Sequence, residues 1–263
     1  MGQQDLLPWA TSIFAESSTQ SLCLIKIISD TSSVDEEPLT FDCAVAFDQK
    51  RLLSSISSSS LFGFTIGATG MLMTCIADIR RLAYELKTGV SSQSIDNTAH
   101  SLLVRLEHCR EIAANNAPSE SDAENSKNRK MGLYHLHAFI AATYIYLYEI
   151  LFDLPPSRVR QYVAEVFHNI QAFFGLGNGN FSLWPAFIAA TAAYLPADVE
   201  AAKSWLRSAS QVGIGNRIKV QAVIEEVWRL RQITSAKSGL DPGSTIVDWR
   251  DVMYKLDLDI LLV

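Results

Sequence analysis

From Met131 to Phe152 the chain is apolar nearly all the way round a helix, and it then meets two consecutive prolines, Pro155 and Pro156. A helix with no polar face belongs inside a protein, because no side of it is suited to water. The residue before a proline is pushed out of the α region, so the pair ends this helix firmly. Beyond it, Ser157 is expected to cap a new helix. That helix carries Val159, Tyr162, Val163, Val166, Phe167, Ile170, Phe173 and Phe174 at three- and four-residue steps. A buried helix followed at once by a clean amphipathic one commits this region to helix-on-helix packing.

The same periodicity recurs on both sides. A helix is expected from about Thr65 to Lys87, with Gly89 as its stop. Residues 94–114 put Leu102, Leu103, Leu106, Cys109 and Ile112 on one face. After the break at Gly175–Asn180 comes a short apolar helix, Leu183–Tyr194. Pro196 opens the next, with Val199, Ala202, Trp205, Leu206 and Ala209 inward and Gly213 and Gly215 at its end. Another runs from about Arg217 to Ser235, with Val220, Ile224, Val227 and Trp228 inward. A loop holding Gly239, Pro242 and Gly243 leads to a last short helix around Asp248–Leu256. Leu22–Ile28 is the best strand candidate, and it lacks convincing alternation. The expected fold is all-α, an irregular multi-helix bundle of antiparallel helical hairpins over residues 1–263. Flexible segments are expected near 30–38, at the serine run 54–60, and over 115–130, which has no large apolar residue and reads as a solvated linker.

Charged residues make up only 19% of the 263, so much of the chain is buried or meets a partner. The net charge of −6 gives no global field that would attract a phosphate backbone. The four cysteines, Cys23, Cys43, Cys75 and Cys109, include no C-x2-C pair, which excludes a zinc ribbon or a six-cysteine zinc cluster within these residues. They read as small apolar core residues of a reducing compartment. Residues 1–20 show no signal-peptide pattern. The apolar stretches Leu61–Ala77, Leu133–Tyr148 and Phe181–Ala197 each fall short of the ~20 residues that span a bilayer, so they read as buried helices.

No motif names a chemistry. Gly175-Leu176-Gly177-Asn178-Gly179 follows an amphipathic helix instead of a strand, so it reads as a helix stop, not a phosphate loop. His135 and His137 point about 200° apart on a helix and cannot share a metal within one turn. His100, His108 and His168 are isolated. Glu225 and Glu226 diverge by about 100°, so one is solvated while the other pairs with Arg229. No G-x-S-x-G, H-E-x-x-H or P-loop pattern occurs. No catalytic, cofactor-binding or metal-ligating residue can be named, and no cofactor is expected. Of the five tryptophans, Trp205 and Trp228 sit on apolar faces and suit core packing. Trp184 and Trp249 lie near helix starts, where they could lock helices together or line a cavity.

Several segments, taken in order, carry a family resemblance. They are Leu61-Phe62-Gly63-Phe64 before a long helix, Tyr146-Leu147-Tyr148-Glu149, and Ser182 through Ala190. Gly213-Ile214-Gly215-Asn216-Arg217, Ile224 through Arg231 and Val247 through Met253 follow. Together they resemble the fungal-specific transcription factor domain, the all-helical regulatory region that follows a six-cysteine binuclear zinc cluster in many fungal regulators. The resemblance is closest from Tyr144 onward, moderate over Phe62–Glu111 and loose over residues 1–60. It implies a nuclear protein that regulates transcription without contacting bases. Self-association into a homodimer, transcriptional co-regulators or a small-molecule effector would serve that role. DNA, and zinc with it, would be bound only through a zinc-cluster segment absent here, and no membrane is involved. An effector or partner pocket would be sought at Tyr144, Tyr148, Trp184, Trp228 and Trp249, with Tyr146 between them. The competing readings are a helical enzyme of secondary metabolism with an inter-helix pocket, which needs converging polar groups of shifted pKa, and a scaffold subunit with an exposed apolar patch.

Overall fold

A computed structural model describes residues 25–33, 67–89, 92–115, 123–177, 179, 181–209, 215–260 and 262. Among these there is no strand. A short helical segment, 25–30, precedes eight longer elements. These are α1 (Gly70–Lys87), α2 (Ser92–Asn115), α3 (Ala123–Phe152), α4 (Pro156–Gly175), α5 (Leu183–Ala192), α6 (Pro196–Ala209), α7 (Gly215–Ser238) and α8 (Trp249–Lys255), with a 3-10 turn at Pro242–Ser244 before α8.

α3 is the axis of the molecule. It packs on α4, α5, α1 and α2, and residues 138 to 147 are all buried. Asp153-Leu154-Pro155 is all that joins it to α4, so the two helices fold back along one another as a hairpin. α5 is buried at all ten positions, Trp184 among them, and lies between α3, α4, α6 and α7. Trp184 and Tyr146 are the largest aromatic side chains of this centre.

Cap chemistry sets the boundaries. Thr69, in extended conformation, accepts a hydrogen bond from Leu72 N–H on its Oγ1 at 3.3 Å, which starts α1 at Gly70. Gly89 follows α1 with a φ of +82°, the left-handed stop expected of it. Pro155, not Ser157, is the N-cap of α4, and no side chain caps it. Pro156 at the first helical position has no N–H to satisfy and a pre-set φ, so Ser157 is already inside the helix.

Other expectations change for local reasons. Part of the Leu22–Ile28 strand candidate is helical from residue 25. Within the 30–38 loop, Thr31 is fully buried, so its visible start is a fixed turn. The solvated linker 115–130 is helical from Ala123, because the apolar segment that follows extends its own helix outward through exposed residues 127–129. Ile112 and Phe174, each at the end of an apolar stripe, are exposed, and Ala113 takes the buried place beside Ile112. Gly215 begins α7 instead of ending α6. The serine run 54–60 and Trp9 lie outside the described residues. Cys75 and Cys109 are free thiols buried between α1 and α2. Cys75 donates to Cys109, and that hydrogen bond together with burial pushes the Cys75 thiol up, while the same bond lowers the Cys109 thiol against the raising effect of its burial. No helix among the described residues is long and apolar enough to cross a membrane.

Candidate functional site

A cleft of about 860 Å³ opens where the C-terminal ends of α1 and α3 meet the start of α8. This falls in the range of small-molecule sites. α3 ends here because Asp153 takes a φ of +49° ahead of the prolines, and Leu154 N–H turns back to Tyr148 O at 3.1 Å. α8 starts here because Asp248 Oδ1 accepts from Arg250 N–H at 2.9 Å.

Asp248 also holds the Arg250 side chain. Its carboxylate accepts from Arg250 Nε at 2.9 and 3.2 Å and from Nη2 at 2.7 Å, a fork that orients the guanidinium. The guanidinium carbon lies 5.5 Å from the Trp249 ring centroid. Trp249 is itself fixed edge-on against Phe187, 5.0 Å away. Nη1 of Arg250 is buried with no hydrogen-bond partner. The hydroxyl of fully buried Tyr146 is likewise unpartnered, and it lies in the field of Arg250, Arg80, Asp248 and Asp30.

Arg231 on α7 also lines the cleft. It is 3% exposed and donates to three carbonyls: Thr191 O at 2.8 Å, Ala193 O at 2.9 Å and Thr245 O at 3.2 Å. These bonds anchor the end of α5 and the strand-like run before α8 without using a carboxylate. Glu149 on α3 also lines the cleft. Its side chain is half-buried. Desolvation pushes its carboxyl up to about 7, against the lowering pull of Arg231 and Arg250 and with a further push from Asp248. The outer rim is apolar: Leu86, Ile246 and Tyr254 line the cleft and are exposed, Tyr254 to 88%.

The structure distributes the sequence-nominated residues widely. Trp249 lines this cleft. Tyr148 lines a smaller one of about 320 Å³ with Leu154, Ser157, Arg158, Gln161 and Tyr162. Tyr144 stacks on Tyr162 at 4.8 Å, lies under the Arg110 guanidinium and donates to Glu107 at 2.8 Å, outside both clefts. Trp184 stacks on Phe139 and donates to Thr31 Oγ1, wholly inside the core. Trp228 donates to Ala190 O at 2.9 Å and ties α7 to α5. Sequence reasoning passed over Glu149, Arg231 and Arg250. One signal for Glu149 was present: it is the single charged residue between Lys130 and Asp153. A charge on an otherwise apolar helix has to find either a partner or a cavity. Glu226, by contrast, pairs with Arg229 at 2.6 Å on an exposed face, as its spacing implied.

No curated protein and no solved structure matches the chain. A family model does: that of the fungal-specific transcription factor domain, over residues 6–263. The match reaches past Tyr144–Val263, where the sequence resemblance was closest, across the amino-terminal part where it was loose. It supports a regulatory role in transcription, and the all-helical fold agrees with it. The chain belongs to the fungal-specific transcription factor domain family.

Proposed function

We propose that this chain is the regulatory, non-DNA-contacting part of a fungal transcription factor and that it controls transcription by responding to a small ligand in the cleft between α1, α3 and α8. The observation that carries the ligand response is the cleft of about 860 Å³ itself, which Glu149, Arg231 and Arg250 line together with Leu86, Ile246 and Tyr254. A concave site of this size with a few charged groups on an otherwise apolar lining is where a small ligand would bind. The protein acts in the nucleus, through co-regulators or a second copy of itself, and is not an enzyme. The cleft holds one carboxyl of displaced pKa, Glu149, and Ser32, which also lines it, donates its hydroxyl to Ser29 O at 2.6 Å.

Nascent-transcript profiles decide the reading. They are compared between cells with the intact gene, a deletion, and Glu149→Gln at the native locus. Deletion should change a defined gene set. Glu149→Gln should change the same set at unaltered protein level. Unchanged transcription after deletion would overturn the regulatory reading, and a silent Glu149→Gln would overturn the role of the cleft. DNA contact is assigned to a six-cysteine zinc cluster outside these residues. An endogenous mass well above 29.1 kDa, with six additional cysteines, supports that assignment, and a mass of 29.1 kDa removes it.

A further inference from the structure

Cys75 on α1 and Cys109 on α2 meet where the two helices pack together. An ion pair nearby fixes the register: Arg105 Nη1 donates to Asp78 Oδ2 at 2.6 Å. Three residues back from Asp78 on α1, and four residues on from Arg105 on α2, stand the two cysteines. Each step is about one helical turn, taken in the opposite directions that antiparallel neighbours require. The thiols are in contact there, Cys75 donating to Cys109. The Cys109 sulfur also accepts from Thr69, the residue that caps α1, and lies in the field of the Arg105 guanidinium. Packing as small apolar residues accounts for the burial of both cysteines, but not for two donors and a cation around one sulfur. Those surroundings favour the thiolate, the nucleophilic form. The two sulfurs also differ in access. Cys75 has no exposed surface, and Cys109 keeps 5%. An oxidant little larger than water therefore meets Cys109 first, with the second thiol already beside it.

We propose that Cys75 and Cys109 form a reversible dithiol–disulfide site for hydrogen peroxide, with Cys109 as the attacking sulfur and Cys75 as the resolving one. The Cys109 thiolate attacks one peroxide oxygen. An S–O bond forms, the O–O bond breaks, and the departing hydroxide takes up the proton that the thiol released and leaves as water. The Cys75 sulfur then attacks the sulfenic sulfur. The S–S bond forms, the S–O bond breaks, and a second water leaves with the Cys75 proton. Two thiols lose two electrons and one peroxide gains them. The disulfide pins α1 to α2, and α1 supplies Ala83, Leu86 and Lys87 to the cleft wall. The thiol pair works regardless of what the cleft binds.

Peroxide treatment of the full chain, alkylation of the remaining thiols and tryptic mass mapping test the proposal. The four cysteines fall on four separate tryptic peptides, 1–26, 27–50, 52–80 and 106–110, so every pairing has its own mass. The expected product joins 52–80 to 106–110, two hydrogens lighter than the reduced pair, and dithiothreitol restores both peptides. Cys75→Ala should stop at a Cys109 sulfenic acid that a cyclic 1,3-dione captures, whereas Cys109→Ala should leave Cys75 unreacted. Arg105→Gln should slow the cross-link roughly ten-fold, and Arg105→Lys should restore most of the rate. Unreacted Cys75 and Cys109 in the native chain, under conditions that oxidise the urea-unfolded chain, would overturn the proposal by showing the pair to be sealed from peroxide. Cys109 sulfinic acid without the cross-link would overturn the pairing. An unchanged rate in Arg105→Gln would overturn the activation of Cys109.

Discussion

Trp184 donates its indole N–H to Thr31 Oγ1 at 3.1 Å, and that hydroxyl in turn donates to Ile28 O at 2.6 Å. All three residues are buried, so one hydrogen-bonded chain ties the helical segment at 25–30 to α5 across most of the sequence. Trp184→Phe keeps most of the ring contact with Phe139 but removes the donor. It should cost about 1–2 kcal/mol in urea unfolding. Trp184→Ala also opens a cavity beside Tyr146 and should cost about 3–5 kcal/mol. If both variants cost the same, the hydrogen bond rather than the ring carries the contact.

His135 makes the fold sensitive to acid. It is buried against Phe181, Phe139 and Phe173, and its Nε2 accepts from Ser182 N–H at 3.1 Å, which requires the neutral ring. Burial lowers its pKa to about 3 from an ordinary 6.5. The folded value is depressed, so the stability it contributes is complete above pH 6.5 and is lost as pH falls from there toward 3. The slope should approach about 1.4 kcal/mol per pH unit. Comparing denaturation midpoints of the parent and His135→Gln at each pH isolates this proton. The slope should vanish from the variant.

The elements of the fold were legible where periodicity was strong. Val159 through Phe173 faces inward as spaced, and Val220, Ile224, Val227 and Trp228 do the same on α7. What the sequence concealed was longer in range. Ser157 is a good cap residue, but Pro156 already supplies the helix start. The polar run before Met131 is helical because it continues a helix whose stability comes from its buried end. Aromatic content pointed the site search toward Trp184 and Trp228, yet their polar N–H groups are satisfied inside the core. The cleft is defined instead by charges, Glu149, Arg231 and Arg250, whose proximity depends on how the ends of α3, α7 and α8 meet. No spacing rule within a single helix reports that meeting.

Arg231 should not tolerate lysine. Its fork reaches Thr191 O, Ala193 O and Thr245 O at once, and a lysine ammonium at the end of a flexible stem cannot reproduce that spread. Arg231→Lys and Arg231→Met should each leave buried carbonyls unsatisfied, at a cost of about 2–4 kcal/mol. Hydrogen exchange should show the loss first at the end of α5 and in residues 245–248. A lysine variant as stable as the parent would show that the charge, not the fork, matters.

Gly67 has a φ of +74°, and a Cβ there would run into the His135 ring. Gly67→Ala therefore adds backbone strain and a clash with a side chain packed on three sides by phenylalanines. It should destabilise by about 2 kcal/mol or more. Gly89→Ala is the control. Its φ of +82° is similar, but nothing lies near the added carbon, so it should show the backbone cost alone, about 1 kcal/mol. Equal costs at the two sites would mean that His135 yields to the new methyl.

Glu149 has the opposite pH signature from His135. Its carboxyl is raised to about 7 in the folded protein from an ordinary 4.5. Below pH 4.5 both states hold the proton and no penalty exists. Between 4.5 and 7 the unfolded chain releases the proton while the folded chain keeps it, so stability falls as pH rises. Above 7 the penalty is constant, because the folded protein then carries a desolvated charge that Arg231 and Arg250 only partly offset. Glu149→Gln has the same shape and no charge. It should match the parent near pH 4 and exceed its stability at pH 8 by on the order of 1–2 kcal/mol, solvent in the cleft screening the rest. Urea midpoints of the two proteins, taken pairwise at each pH, cancel the His135 contribution that overlaps the same range. A difference that stays flat from pH 4 to 8 would mean that water reaches the carboxyl freely.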